Sequence, residues 1–124
     1  MNKVSVIIPN YNGKHFLMPC LEALGRQTMK DFDIIIIDNG SKDGSAQYIK
    51  DEHPGIHLIE FKENTGFCRA INEGVKAASS KYVLLLNNDT IPEEGFVEEL
   101  YRGIESHKKV FSCASCMLTV KDHN

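Results

Sequence analysis

Asn87, Asn88 and Asp89 directly follow an unbroken apolar run at residues 82–86. A short apolar run that ends at polar residues is typical of a strand buried on both faces in the middle of an α/β sheet, and ligands collect beyond the carboxyl ends of such strands. A carboxylate flanked by amide oxygens suits a hard divalent cation such as Mg²⁺ or Mn²⁺. The same residues also form ordinary turns and helix caps, which is the more frequent outcome on local grounds alone.

Polar residues follow two earlier apolar runs in the same way. The β-branched run at 4–8 is followed, beyond Pro9, by Tyr11 and Asn12, and the run at 34–37 is followed by Asp38 and Asn39. Pro9 lacks a ladder donor and is expected to end the first strand. Because parallel strands end at one edge of their sheet, the polar residues after all three runs are predicted to gather there.

Hydrophobic periodicity supplies the elements that would position these residues. Strands are predicted at five runs: 4–8, 34–37, 56–61, 82–86 and 110–120. Helices are predicted at four stretches: 16–27, 45–49, 67–78 and 96–104. We expect Phe16 and Val75 on buried helix stripes, Ser45 as a helix cap and Pro92 in a first helical turn. The alternating order with short connections predicts an α/β fold, a mostly parallel sheet layered by helices, as one domain over residues 1–124.

Composition excludes several classes of protein. The 124 residues are 42% hydrophobic and 25% charged, with a net charge of −3, which is typical of a globular domain. The sequence contains no cluster of lysine and arginine residues of the kind that binds nucleic acid. No apolar run approaches the roughly 20 residues that span a bilayer, and no signal-peptide pattern follows Met1, so we expect a cytoplasmic protein. The absence of G-x-G-x-x-G after the first run argues against a dinucleotide-binding enzyme.

The four cysteines are Cys20, Cys68, Cys113 and Cys116. Two are isolated in helical patterns, where small buried thiols are common. The other two form one C-x-x-C without a second pair at metal spacing. All four are interpreted as structural.

Four motifs occur in order: VSVIIPNYN at 4–12, IDNGSKDGS at 37–45, NTGFCRAIN at 64–72 and LLLNND at 84–89. Together they resemble the nucleotide-sugar-binding half of family 2 glycosyltransferases, the inverting enzymes with the GT-A fold. The resemblance covers essentially the whole chain. The Asp-Asn-Gly-Ser and Leu-Asn-Asn-Asp variants look most like rhamnosyltransferase-type members.

The resemblance implies nucleotide-sugar contacts at nine positions: Pro9, Tyr11, Asn12, Asp38, Asn64, Gly66, Arg69, Asn87 and Asn88. It implies a metal ligand, for Mg²⁺ or Mn²⁺, at Asp89, the last residue of a D-x-D-like motif in which Asn87 replaces the first acid. Tyr11 would cover the base, Asp38 would accept a hydrogen bond from the ring N–H of uracil or thymine, and Arg69 would counter phosphate charge. Local chemistry alone leaves an alternative open at each position: a half-buried aromatic for Tyr11, a turn residue for Asp38 and a solvated helix face for Arg69.

No general base is assigned. Inverting transfer needs one to deprotonate the acceptor hydroxyl, and in the family it comes from the half after the D-x-D motif. The nearby acids Glu93, Glu94, Glu98 and Glu99 instead fit the first turns of a helix, where acids are favoured. We therefore expect a truncated donor-binding portion that lacks the acceptor half and is inactive in transfer by itself.

The predicted partners are a UDP- or dTDP-sugar donor and a glycan or lipid-linked acceptor, the latter bringing peripheral association with the inner face of a membrane. The alternative is a non-catalytic interaction module that keeps the fold and forms homo-oligomers through an exposed sheet edge.

Overall fold

The computed structural model describes residues 2–106. Strands and helices alternate in that part of the chain, with the bounds β1 Val4–Asn10, α1 Lys14–Gly25, β2 Phe32–Asn39, α2 Ser45–Glu52, β3 His57–Phe61, α3 Phe67–Ala77, β4 Tyr82–Leu85 and α4 Phe96–Glu105. The strands form a parallel sheet in the order β3-β2-β1-β4. The predicted α/β fold, a parallel sheet layered by helices, is confirmed. The strand predicted at 110–120 lies outside the described residues, as do Cys113 and Cys116.

The two faces of the sheet carry separate hydrophobic clusters. Ile8 belongs to the cluster that contains Leu17 of α1, and Ile7 and Ile35 belong to the cluster that contains Ala70 of α3. All of these side chains are fully buried. Neighbouring residues of a strand point to opposite faces, and burying one branched apolar side chain contributes about 1.5–3 kcal/mol. The β-branched runs therefore place β1 and β2 at the centre of the fold.

The sequence predicted that Pro9 ends β1, but the strand continues beyond it to Asn10. Leu86 donates its backbone N–H to the carbonyl of Ile7 at 2.9 Å, so the backbone groups of residues 7 and 9 face β4. Pairing between β1 and β4 ends at Ile7 and Leu85. The N–H that proline lacks would thus point where the ladder has already stopped, and β1 continues to Asn10 while paired with β2.

β4 differs from the predicted strand buried on both faces in mid-sheet. Within residues 2–106 it pairs with β1 alone and forms an edge of the sheet. Leu84 and Leu86 pack with the cluster on the α1 face, whereas Val83 and Leu85 are 42% and 53% exposed. An apolar run does not show whether both of its faces are covered, and only one face is covered by the described residues.

Two predicted roles at helix starts were also wrong, the cap role of Ser45 and the first-turn role of Pro92. Gly44, at φ +85°, occupies the cap position of α2, and Ser45 is the first helical residue. Asp43 accepts the Ser45 backbone N–H at 3.0 Å, one of the N–H groups that a helix start leaves without an internal partner. Pro92 lies in the loop before α4, which begins at Phe96.

Three side chains expected in the interior lie at the surface. Phe16 and Val75 are 45% and 42% exposed, and Cys68 is an exposed free thiol at the start of α3. Gly74 explains the shift on α3: a Cβ there would lie 2.6 Å from Ile7 Cγ2, so the glycine face packs on the sheet and turns Val75 outward. Cys20 is a buried free thiol, as predicted.

Candidate functional site

A cavity of about 320 Å³ lies at the carboxyl edge of the sheet. It is lined by residues from the ends of β1, β2 and β4 and from the turn into α3: Pro9, Asn10, Tyr11, Asn39, Asn64, Phe67, Asn87, Asn88 and Asp89. Six of the ten residues predicted for the site are among them. The other four, Asn12, Asp38, Gly66 and Arg69, do not line it.

Asp89 is exposed at this cavity. Within residues 2–106 no side chain forms a hydrogen bond or an ion pair with its carboxylate. Thr90 turns back, donating its hydroxyl to the Asn87 carbonyl at 2.8 Å. Burial raises the pKa of the Cys20 thiol below this turn to about 11, a hydrogen bond with Thr90 lowers it and the Asp89 charge raises it further. The Cys20 thiol beneath the turn is therefore neutral near pH 7.

Asn10 joins three of the loops that form the cavity. Its buried side chain donates Nδ2–H to Asp38 Oδ1 at 3.0 Å, and its Oδ1 accepts Nδ2–H of Asn88 at 2.7 Å. The other Asp38 oxygen accepts the Ser41 backbone N–H at 3.1 Å. Asp38 is 3% exposed, so both of its oxygens serve the protein's own network behind the cavity wall.

Asn39 holds the turn that leads into α3. Its Oδ1 accepts the Thr65 backbone N–H at 2.8 Å and its Nδ2–H donates to the Gly66 carbonyl at 3.1 Å. Asn64 Oδ1 accepts the Gly66 N–H at 2.9 Å, which closes the turn. Gly66, at φ +91°, supplies the backbone conformation needed there. Asn64 and Phe67 thereby reach the cavity.

The loop after β1 is tied to the loop after β2. Asn12 donates its backbone N–H to Ser41 Oγ at 2.8 Å and accepts the Lys42 N–H on its Oδ1 at 2.8 Å. Gly13, the next residue, packs closely against the side chains of Asn10 and Asn88. A Cβ at Gly13 would lie 2.7 Å from Asn10 Oδ1 and closer still to Asn88 Nδ2. Only a glycine lets the two asparagines meet at this point.

Two aromatic rings are exposed at the cavity. Tyr11 is 51% exposed and Phe67 is 58% exposed. Arg69, in the first turn of α3, is exposed, with its guanidinium carbon 6.0 Å from the centre of the Phe61 ring. The positive end of the α3 dipole lies at this wall, because the helix begins at Phe67.

The segment after Asp89 is held against α1 by a buried side chain. Gln27 Nε2–H donates to the Glu93 carbonyl at 2.6 Å, and its Oε1 accepts the Val97 N–H at the start of α4 at 3.0 Å. Thr28 adds a backbone N–H to the Glu94 carbonyl at 2.8 Å. These contacts anchor the C-terminal end of the loop that carries Asp89.

Four residues at the site had been assigned no role from the sequence: Asn10, Gly13, Asn39 and Phe67. Asn39 was nevertheless predicted to lie at this edge of the sheet. Three of the four lie inside the motifs, next to residues that were predicted, and Gly13 directly follows the first motif. Alternation along a strand would have found Asn10, because it lies on the same extended backbone as Ile8. No sequence signal marks Gly13 as a contact residue.

The residues present fit one kind of metal site. Among residues 2–106 no three His, Cys, Asp or Glu side chains lie close enough together to hold an ion. Of the residues that the structure describes, Asp89 is the one carboxylate that lines the cavity, beside the amides of Asn87 and Asn88. This set does not fit a cage built from protein ligands alone. It fits Mg²⁺ or Mn²⁺ that keeps water molecules and takes oxygens from phosphate groups.

The model of glycosyl transferase family 2 matches residues 5–123. The chain belongs to that family. It is 33% identical over 109 residues to glycosyltransferase GlyA of Streptococcus pneumoniae serotype 4, covering 86% of this chain and 16% of that protein. The chain thus spans a small part of the length of this relative.

Solved structures share the fold. S. aureus TarS 1-349 in complex with UDP superposes with a TM-score of 0.78 at 22% identity, over 86% of this chain and 33% of that one. Mannosyltransferase PcManGT from Pyrobaculum calidifontis, in complex with GDP-Man and Mn²⁺, superposes with a TM-score of 0.67 at 24% identity, over 73% of this chain and 28% of that one. Both likenesses establish the architecture of this family 2 domain.

No helix of this family 2 domain within residues 2–106 has the length and apolar character required to cross a bilayer.

Proposed function

We propose that this family 2 domain binds the nucleoside diphosphate part of a sugar donor in the cavity at the carboxyl edge of the sheet. One observation carries the proposal: exposed aromatic rings and a carboxylate that has no hydrogen-bond or ion-pair partner within residues 2–106 face the same polar cavity. Planar rings offer a stacking surface for a base, and a free carboxylate can hold the cation that accompanies a diphosphate. A UDP- or dTDP-sugar is the proposed donor, and a rhamnosyl donor remains a narrower prediction.

The roles proposed for single residues follow from their positions. Tyr11 and Phe67 would flank the base, and Asn64 would face the ribose and phosphates from the turn that it shapes. The dipole of α3 and the charge of Arg69 would favour the diphosphate from the same side. Contacts of Pro9, Asn12, Gly66, Asn87 and Asn88 with the donor stay predictions. For Asp38, predicted to accept the base N–H, a role behind the cavity wall is proposed instead, because both of its oxygens accept hydrogen bonds within the protein.

Asp89 would hold Mg²⁺ or Mn²⁺, with amide oxygens of neighbouring asparagines beside it. When bound, the cation would act as a Lewis acid that stabilises the departing nucleoside diphosphate. The chain's own residues would bind and orient the donor and hold the loop that carries Asp89.

We propose that sugar transfer, with inversion, requires a base that this cavity does not provide. Asp89 is the one carboxylate among the lining residues that the structure describes. A carboxylate that holds a cation cannot also take the acceptor proton effectively. The domain is therefore proposed to bind a donor but to be inactive in transfer alone. A glycan or lipid-linked acceptor, reached from the cytoplasmic side of a membrane, is the matching proposal for the complete reaction.

Titration calorimetry of the 124-residue chain tests donor binding. UDP, dTDP and GDP are titrated with and without Mn²⁺, and we expect UDP or dTDP to bind more tightly when Mn²⁺ is present. Asp89→Asn should remove that enhancement. Glu94→Gln changes an exposed acid of the same loop that does not line the cavity, so it should not. Folded wild-type protein that binds none of the three nucleotides would disprove the proposal.

The second candidate is association through β4. Its support is the edge position of β4 and the exposure of Val83 and Leu85 within the described part of the chain. A second copy could cover this apolar edge. Sedimentation equilibrium should then show a dimer that Leu85→Lys dissociates, whereas a monomer at high concentration would exclude it.

A further inference from the structure

The polar chain from Asp38 through Asn10 to Asn88 has a fixed direction. A carboxylate can only accept hydrogen bonds, so Asp38 must receive Nδ2–H of Asn10, as it does at 3.0 Å. The oxygen of the Asn10 amide then points the other way, toward Asn88. Because this oxygen can only accept, Asn88 must donate to it, and its Nδ2–H does so at 2.7 Å.

This ordering determines which atom of Asn88 remains for a ligand. Its Nδ2 is engaged by Asn10, and no residue within 2–106 donates to its Oδ1. Asn88 lines the cavity next to Asp89. The amide therefore presents an acceptor oxygen beside the Asp89 carboxylate.

We propose that Asp38 and Asn10 are positioning residues, which orient the Asn88 amide so that its oxygen accepts a hydroxyl of the nucleotide or ligates the divalent cation. Ligand binding by the Asn88 oxygen rests on the proposed function, whereas the orientation of the Asn88 amide does not. Asp38 acts here without touching the ligand, since both of its oxygens are used and it is 3% exposed.

The direction of the chain can be reversed by substitution. In Asp38→Asn, the new amide accepts the Ser41 N–H and offers its own N–H to Asn10. Asn10 and Asn88 then both turn over and keep their hydrogen bonds to each other and to residue 38. Ser41 Oγ, which accepts Asn10 Nδ2–H at 3.3 Å in the wild type, donates its hydroxyl to the Asn10 oxygen instead. Asn88 now exposes its N–H₂ group to the cavity. In Asn88→Asp, by contrast, the Asn10 oxygen faces a carboxylate and cannot turn, because Asp38 holds it. In the double variant Asn10 is free to turn and donates to the new carboxylate.

Thermal unfolding of four proteins without nucleotide tests the orientation. Asp38→Asn should keep a Tm near that of the wild type, and Asn88→Asp should lower Tm by about 4 °C or more, as expected when buried polar groups lose their partners. The double variant should recover most of that loss. A double variant at or below the Tm of Asn88→Asp would overturn the proposal. If Asn88→Asp does not fold, recovery of folding in the double variant is the same result, and its failure the opposite one.

Proton exchange of the side-chain amides gives a second readout in proteins expected to fold. The Asn88 Nδ2 protons should exchange slowly in the wild type and at least several-fold faster in Asp38→Asn, where they face the cavity. Equal exchange in the two proteins would overturn the assigned orientation, whatever nucleotide the protein binds.

Calorimetry then identifies the partner of the oxygen. Asp38→Asn should weaken binding by about three- to tenfold, the effect of one hydrogen bond. If only the gain in UDP affinity that Mn²⁺ brings is lost, Asn88 Oδ1 binds the cation. If UDP affinity measured without metal falls, Asn88 Oδ1 binds a hydroxyl of the nucleotide. The variant Asn10→Leu breaks the chain and should reproduce the loss. If Asp38→Asn weakens binding while Asn10→Leu does not, Asp38 touches the ligand directly and the positioning role is refuted.

Discussion

The Gly13→Ala substitution would introduce a methyl group between two residues that must touch. Its Cβ would lie 2.7 Å from Asn10 Oδ1 and even closer to Asn88 Nδ2, while Gly13 itself, at φ −113°, has a backbone conformation that alanine also adopts. The penalty is therefore steric, and the Asn88–Asn10 hydrogen bond of 2.7 Å must break.

The expected cost has two parts. A buried hydrogen bond contributes about 0.5–1.5 kcal/mol and an overpacked site costs about 1–3 kcal/mol, so Gly13→Ala should lower the free energy of unfolding by roughly 2–4 kcal/mol. Asn88 would also be displaced, and we expect UDP affinity with Mn²⁺ to fall about tenfold, equivalent to about 1.4 kcal/mol.

Urea denaturation followed by circular dichroism measures the first effect and calorimetry the second. Gly25→Ala is the matched control: it lies at the end of α1 with no atom within 4 Å of its Cβ position, so its stability should be unchanged or slightly raised. If Gly13→Ala unfolds at the same urea concentration as Gly25→Ala and binds UDP normally, the close contact between the two asparagines is not part of the site.

Three further outcomes are expected. Gln27→Leu leaves the Glu93 carbonyl and the Val97 N–H without their partner, so the free energy of unfolding should fall by about 2–4 kcal/mol in urea titrations. Burial alone would raise the pKa of Asp43, but hydrogen bonds from the Ser45 hydroxyl and from backbone N–H groups lower it below 3.8. This stabilisation is present above pH 3.8 and is lost as pH falls toward the folded-state value, so Asp43→Asn should flatten the pH dependence of the urea midpoint there. Gly74→Ala, whose Cβ would meet isoleucine side chains at 2.6 and 2.7 Å, should cost about 1–3 kcal/mol without changing UDP affinity of the folded fraction, as calorimetry would show.

The arrangement of the sheet follows from features that a sequence displays. β-branched runs such as 34–37 predict buried strands, and parallel strands bring their polar ends to one edge. That rule was enough to predict that Tyr11 and Asp89 lie at one edge of the sheet, where they line the same cavity. The strand bounds were less accurate, because Asn10 and Asn39 look like turn residues although they extend β1 and β2.

The sequence could not reveal the contacts within the site. Asp38 and Asn39 are neighbours with similar local chemistry, yet Asp38 turns to the interior network and Asn39 lines the cavity. Which of them faces a ligand depends on the register of β2 against β1, a long-range property. Likewise, the apolar run of β4 has the composition of a central strand, but its neighbours decide how much of it is covered.

Paramagnetic broadening of amide resonances by Mn²⁺, recorded with UDP present, tests most directly whether a cation and a nucleoside diphosphate share this cavity. We predict broadening centred on Asn88 and Asp89 that extends to Tyr11 and disappears in Asp89→Asn. Broadening centred instead on the acidic start of α4, at Glu98 and Glu99, or no broadening by Mn²⁺ at all, would contradict it.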